Sequence, residues 1–286
     1  MKHLFAITLL FSFIVLTAQN KKSSKIPKEI EEFVLINSGI VYLDTNELTV
    51  NRFYIRKTEV TNGEYKEFLA DLNTQGNATE FELAYPDSSK WLNSEIFNPP
   101  LADYYFRHPN YNSFPVVNIS YEAALLFCKW LEEKLNTDEK QKFMVHVRLP
   151  LKAEWVMAAR AGRQHSEYAW SGPYLRNKEG KFQCNFKRLS NERIHYNYES
   201  KSFEIKESYE DVFTSIAETK SYWPNDYGLY NMCGNVAEML WDKGEAIGGS
   251  WNSPGYDVRV TSIMNYEGPS PFVGFRPVIS IVEDFK

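Results

Sequence analysis

Apolar positions dominate the chain from Leu4 to Val15, after Lys2 and before Leu16-Thr17-Ala18, and the pattern then switches to Gln19-Asn20-Lys21-Lys22. This charged, apolar and small-residue order predicts a signal peptide over residues 1–18 with cleavage near Ala18, and the run falls short of the roughly 20 apolar residues that span a bilayer. Residues 19–30 are polar and lysine-rich and read as a linker, with one domain over 31–284. The domain opens on short alternating segments, Phe33–Ile36, Ile40–Leu43 and Phe53–Arg56, which predict strands. Thr61 and Glu64 form a capping box ahead of Tyr65, Phe68 and Leu69, so a helix starts there. A second helix is predicted from Ser120 as N-cap to Asn136, with Ala124, Phe127, Cys128, Leu131 and Leu135 on its inner face. A third follows with Pro150 in its first turn, Trp155, Ala158 and Ala159 facing inward, and Gly162 at its end.

Between these helices, residues 85–114 show no sustained period. They carry Tyr85-Pro86, Trp91, Tyr104-Tyr105-Phe106 and His108-Pro109, and read as a long ordered aromatic insertion and a candidate partner surface. Beyond Tyr168 the chain is irregular, with short apolar pieces such as Ala246-Ile247 and Val278–Ile281. A net charge of −5 with interspersed charges argues against nucleic acid and shows no polybasic membrane patch. The three cysteines, Cys128, Cys184 and Cys233, are too few for a disulfide scaffold and allow one pair at most. No catalytic nucleophile elbow, P-loop or dinucleotide fingerprint is present, and His108, His146, His165 and His195 have no metal-ligand spacing.

Several segments, in order, resemble the formylglycine-generating-enzyme or sulfatase-modifying-factor family: Thr58–Asn62, Pro115–Tyr121, Arg148-Leu149-Pro150 with Ala153-Glu154-Trp155 and Ala158-Ala159-Arg160, and Tyr168-Ala169-Trp170. Gly228–Met232, Gly234-Asn235-Val236 with Glu238, Gly248–Trp251 and Gly274-Phe275-Arg276 complete the set. The resemblance implies an α+β fold, an elaborated C-type-lectin-like single domain with little regular structure. It makes Arg148, Arg160 and Arg276 structural, and it implies two structural calcium sites, one at Asn185, Phe186, Asp211 and Phe213 and one at Asn231, Gly234, Val236 and Glu238. Side-chain and carbonyl oxygens suit that hard cation.

Catalytic members of the family place two copper-binding cysteines shortly after the Gly-Gly-Ser segment. Here those positions fall on Ser253 and Val258, so no copper is expected. The vestigial groove would be lined by Ser250, Asn252, Ser253 and Arg259, and Ala237 replaces a tryptophan of the family pattern. The segments Tyr85–Trp91 and Tyr105–Tyr111, together with Ala237, are similar to the non-catalytic gliding-motility and type IX secretion lipoproteins, although no lipobox cysteine follows the leader. The resemblance therefore implies an exported, periplasmic or outer-envelope-associated binding or assembly subunit with a protein partner in the envelope. The partner-binding candidates are Trp91, Tyr104, Tyr105, Phe106, Tyr111 and Trp251. The alternative is an enzyme of this fold that acts on an exported protein or small molecule with non-standard catalytic residues.

Overall fold

A computed structural model describes residues 28–93, 96–137, 144–188, 194–205 and 215–282. The signal peptide, most of the linker, and Asp211 and Phe213 of the first calcium set lie outside the described residues. Strands β1 (Phe33–Ile36) and β4 (Phe53–Arg56) flank a hairpin of β2 (Gly39–Leu43) and β3 (Asn46–Val50). Strand β4 pairs with β1 on one side and with the last strand, β12 (Val278–Val282), on the other. In turn β12 pairs with β5 (Met144–Arg148), so the antiparallel order is β1-β4-β12-β5.

Strand alternation sends side chains to opposite faces, and each face of this sheet is covered. On one face lie α1 (Asn62–Thr74) and α4 (Tyr121–Asn136), whose Tyr65, Phe68 and Phe127 meet Val145, Val147 and Ile279. The other face packs Phe53, Ile55 and Val278 against Trp155, Ala158 and Ala159 of α5 (Lys152–Arg160). The Thr61 capping box and the Ser120 N-cap form as expected. Two local expectations change. Leu151 is the N-cap of α5, so Pro150 lies one position outside the helix, held where its carbonyl accepts from Trp241 N at 2.9 Å. The alternation of Phe53 and Ile55 with Tyr54 and Arg56 does not leave Arg56 exposed: it is buried and pairs with the Glu64 carboxylate in the first turn of α1.

The aromatic insertion is not a structureless loop. Helix α2 (Ala78–Ala84) leads into it, and it is built from a 3₁₀ turn over Ser88–Leu92, α3 (Pro99–Tyr104) and a second 3₁₀ turn over Pro109–Tyr111. Each has a local start: the side chains of Asn77, Asp87, Asn98 and His108 accept a backbone N–H two or three residues on. A two-stranded ribbon, β6 (Ile194–Asn197) and β7 (Ser202–Ile205), stands apart from a second sheet of order β10-β9-β8-β11. That sheet comprises β8 (Ala237–Met239), β9 (Glu245–Ile247), β10 (Ile263–Asn265) and β11 (Val273–Gly274). Among the described residues no helix is long and apolar enough to cross a membrane.

Candidate functional site

The segment after β9 turns sharply at Gly248 and Gly249. Both have positive φ, and a Cβ on Gly249 would run into the Asp257 carbonyl oxygen. The turn that follows is closed on itself: Ser250 N donates to Ser253 Oγ at 3.0 Å, the two hydroxyls lie 3.2 Å apart, and Asn252 N donates to Ser250 Oγ at 3.3 Å. Ser250 is 1% exposed, Ser253 5%, and Val258 0% within the apolar cluster around Trp155. Arg259 folds back on its own loop, its guanidinium 3.4 Å from the Tyr256 ring centroid and its Nε donating to Tyr256 O at 2.9 Å. Of the residues expected to line the vestigial groove, Ser250 and Ser253 are sealed in a turn, Asn252 is half-buried at it and Arg259 is engaged outside it.

Trp251 is also taken up. Its Nε1 donates to Pro271 O at 3.1 Å, and its ring stacks on Trp91 of the insertion with centroids 6.4 Å and planes 21° apart. Tyr105 packs on Trp91 at 4.9 Å and donates its hydroxyl to Pro115 O at 2.6 Å. Of the six partner-binding candidates, Trp91, Tyr105 and Trp251 are therefore buried in one small core, with Tyr111 packed against it, because they fix the insertion to the body of the domain. Tyr104 is exposed and Phe106 half-buried.

Next to this turn lies a buried polar knot that sequence reasoning identified only in part. Arg276, with no exposed surface, forks onto Glu238 through Nε and Nη2 at 2.7–3.1 Å and donates to the carbonyls of Arg56 and Tyr230. Trp155 Nε1 donates to the second Glu238 oxygen at 2.6 Å. Burial works against the Arg276 charge, but Glu238 holds its pKa above the usual guanidinium range. A second carboxylate, Glu59, is also fully buried and accepts from the amides of Asn231 and Asn235 at 2.9–3.3 Å. Burial pushes its pKa up to about 7, with Arg276 opposing the rise and Glu238 adding to it. Glu59 lies in a strand-like run, Thr58-Glu59-Val60, with nothing local to mark it as buried.

The second calcium set, Asn231, Gly234, Val236 and Glu238, comes together around this knot, but Glu238 does not fit a cation. Both of its oxygens are filled by Arg276 and Trp155, and the guanidinium stands where a positive ion would be repelled. Asn231 has a buried Oδ1 without a hydrogen-bond partner. Of the first set, Asn185 donates its amide to Ser215 O at 2.8 Å and Asn235 Oδ1 at 3.2 Å, while Phe186 is buried beside it.

Residues 19–281 match the model of the sulfatase-modifying factor enzyme 1-like domain. The chain belongs to that family. It is 25% identical to the mouse formylglycine-generating enzyme over a match covering 76% of this chain and 59% of the relative. Against the bovine inactive C-alpha-formylglycine-generating enzyme 2 the identity is 24%, covering 80% and 78%. The chain thus spans less than two thirds of the mouse enzyme's length. Among solved structures, CarF superposes with a TM-score of 0.58 at 22% identity, over 88% of this chain and 98% of that one. PvdO from Pseudomonas aeruginosa gives 0.56 at 16%, over 87% and 94%. These structural likenesses establish the α+β fold of the family.

Proposed function

We propose that this sulfatase-modifying-factor-like domain is a non-catalytic binding or assembly subunit, exported to the periplasm or outer envelope and released from its leader near Ala18. The observation that carries the proposal is the sealed turn. Where catalytic relatives bind copper through two thiolates, this chain has Ser253, hydrogen-bonded into its own turn, and a fully buried Val258. The bovine relative matched over 78% of its length is an inactive C-alpha-formylglycine-generating enzyme 2.

The partner surface is the outer side of the insertion, where Tyr85, Leu92, Phe97 and Tyr104 are exposed next to Leu83 of α2 while Trp91 and Tyr105 anchor it from within. A groove of about 360 Å³ between α1 and α2 adds Phe81, Tyr85 and Phe106 beneath Lys66 and Arg107, which suits an apolar partner segment carrying a carboxylate. Such a subunit fits the gliding-motility or type IX secretion machinery that the sequence resembles. A structural calcium ion belongs to the proposal only at the first set, to which Asn185 and Phe186 belong; the absence of any thermal shift on adding millimolar calcium chloride to chelator-treated protein would remove it.

The test is affinity purification of the tagged full chain from native cell envelopes after gentle cross-linking, with mass spectrometry of the captured proteins. Capture of motility or secretion subunits by the parent, and its loss in a Phe97→Ser/Tyr104→Ser variant of unchanged stability, is the expected result. Capture of the same proteins by both forms would place the partner surface elsewhere, and a parent that brings down no envelope protein would overturn the binding role.

A further inference from the structure

The sequence leaves Cys184 and Cys233 far apart, and neither belongs to the sealed turn. The fold brings them side by side. Asn185 and Gly234 form an isolated parallel β-bridge, closed by Asn235 N donating to Asn185 O at 2.8 Å, and each cysteine is the residue immediately before its bridge partner. In a parallel pair, residues in register project from the same face, and neighbouring strands run about 4.8 Å apart. That spacing falls inside the ~4.4–6.8 Å Cα separation that a disulfide requires. The approach here is unusually close: Gly234 has φ +75°, and a Cβ on it would run into the Asn185 carbonyl oxygen. Both cysteines are free thiols here, 2% exposed, and share one apolar cluster with Trp155 and Met232, with Ala169 N donating to Cys233 Sγ at 3.4 Å.

The geometry points to a disulfide between Cys184 and Cys233, formed while the chain folds, that covalently ties the strand carrying Asn185 and Phe186 to the turn carrying Asn231, Gly234 and Asn235. Its position gives it a definite task. These two segments are joined by hydrogen bonds from Asn185 to Asn235 and back, and Asn235 in turn donates to Glu59 of the polar knot, with little regular structure to support them. A covalent link one residue away fixes their register. It also closes the long stretch between residues 184 and 233, which among the described residues holds the ribbon β6–β7. Closing a loop of that length removes much freedom from the unfolded chain.

Formation is a two-electron exchange. Both S–H bonds are broken and one S–S bond is made, while an external disulfide such as oxidised glutathione accepts the two electrons and two protons and leaves as two thiols. The exchange has to precede burial. In the folded chain burial raises the Cys184 thiol well above its usual range, with the neighbouring Cys233 adding to the rise, and burial pushes Cys233 up to about 12, so neither offers a thiolate to an oxidant. Cys128 lies elsewhere, buried on the inner face of α4, and has no part in the pair.

The experiment is refolding of the full chain from reduced denatured protein in a glutathione redox buffer, followed by blocking of free thiols, non-reducing trypsin digestion and mass spectrometry. The expected product is a linked pair of the peptides 182–187 and 221–243, 2 Da lighter than their sum, with Cys128 blocked as a free thiol. The oxidised protein is expected to lose roughly 5–15 °C of melting temperature on reduction. That shift is expected to vanish in a Cys184→Ser/Cys233→Ser variant, while Cys128→Ser keeps it. Blocking of both Cys184 and Cys233 in the refolded soluble protein, or a link from either of them to Cys128, would overturn the inference. The peptide map of the parent chain decides it even where a serine variant fails to fold.

Discussion

Arg276 and Glu238 are the residues on which the interior depends most. A guanidinium buried with no exposed surface costs several kcal/mol in desolvation, and only the forked contact with Glu238 and the two carbonyls offset it. Replacing one partner leaves the other charge stranded, so Arg276→Met is expected to destabilise the fold by about 3–5 kcal/mol, measured by urea unfolding. Arg276→Met combined with Glu238→Gln should recover part of that loss, whereas equal losses in the single and double variants would show that the pair is not coupled. Glu59 gives a prediction of opposite character. Burial pushes its carboxyl up to about 7 in the folded chain from the usual 4.5, so between these values the folded state binds the proton more tightly than the unfolded one. Stability contributed by this group is complete below about 4.5 and is lost as the pH rises toward 7, with an amplitude of about 3 kcal/mol. Glu59→Gln should flatten that decline between pH 5 and 8; an unchanged slope would show that Glu59 stays ionised throughout. Glu238 was legible as a residue of consequence because it sits in the Gly234–Glu238 pattern, but its role was not, since a carboxylate that faces a cation and one that faces an arginine 38 residues away look alike in sequence.

At the scale of elements, the legible parts are those whose signal is local. The capping box at Thr61 and Glu64 and the inner stripe of α4 each specify an element without help from the rest of the chain. Helices α2 and α3 are too short to establish a period and owe their place to tertiary packing, α2 on the core of Tyr65 and Phe127 and α3 on Trp91 and Tyr105. For that reason the insertion read as a loop and its anchors read as a surface. The distinction between anchor and surface can be measured. Trp91→Ala removes a fully buried indole stacked on Trp251, and it is expected to cost about 3–5 kcal/mol and to raise the exposure of Trp251 to a fluorescence quencher. Phe97, 68% exposed, and Tyr104, 56% exposed, should tolerate replacement by serine within about 0.5 kcal/mol. A small loss for Trp91→Ala would mean that the insertion is not held by this cluster.

At the scale of the whole molecule, the architecture turns on the last strand. The family resemblance supplied the α+β class, whereas the order β1-β4-β12-β5 was not readable, because strands of four or five residues carry no mark of a partner more than a hundred positions away. Strand β12 enters between β4 and β5 and joins the beginning, middle and end of the domain. The residues leading into it are equally tied, with Val60 N donating to Phe275 O at 3.0 Å and Arg56 N to Pro277 O at 3.2 Å. Val278 and Ile279 face opposite layers and are almost wholly buried, so each core loses a side chain worth about 1.5–3 kcal/mol if the strand is absent. Two strand edges, β4 and β5, would also lose their backbone partners. Against a typical total of about 5–15 kcal/mol, that combined loss exceeds what a domain tolerates. A chain ending at Pro277 is therefore expected to show no cooperative urea transition and to lose its near-ultraviolet circular dichroism. A truncated chain that unfolds cooperatively at the parent's midpoint would show that the two helical layers hold together without their central strand.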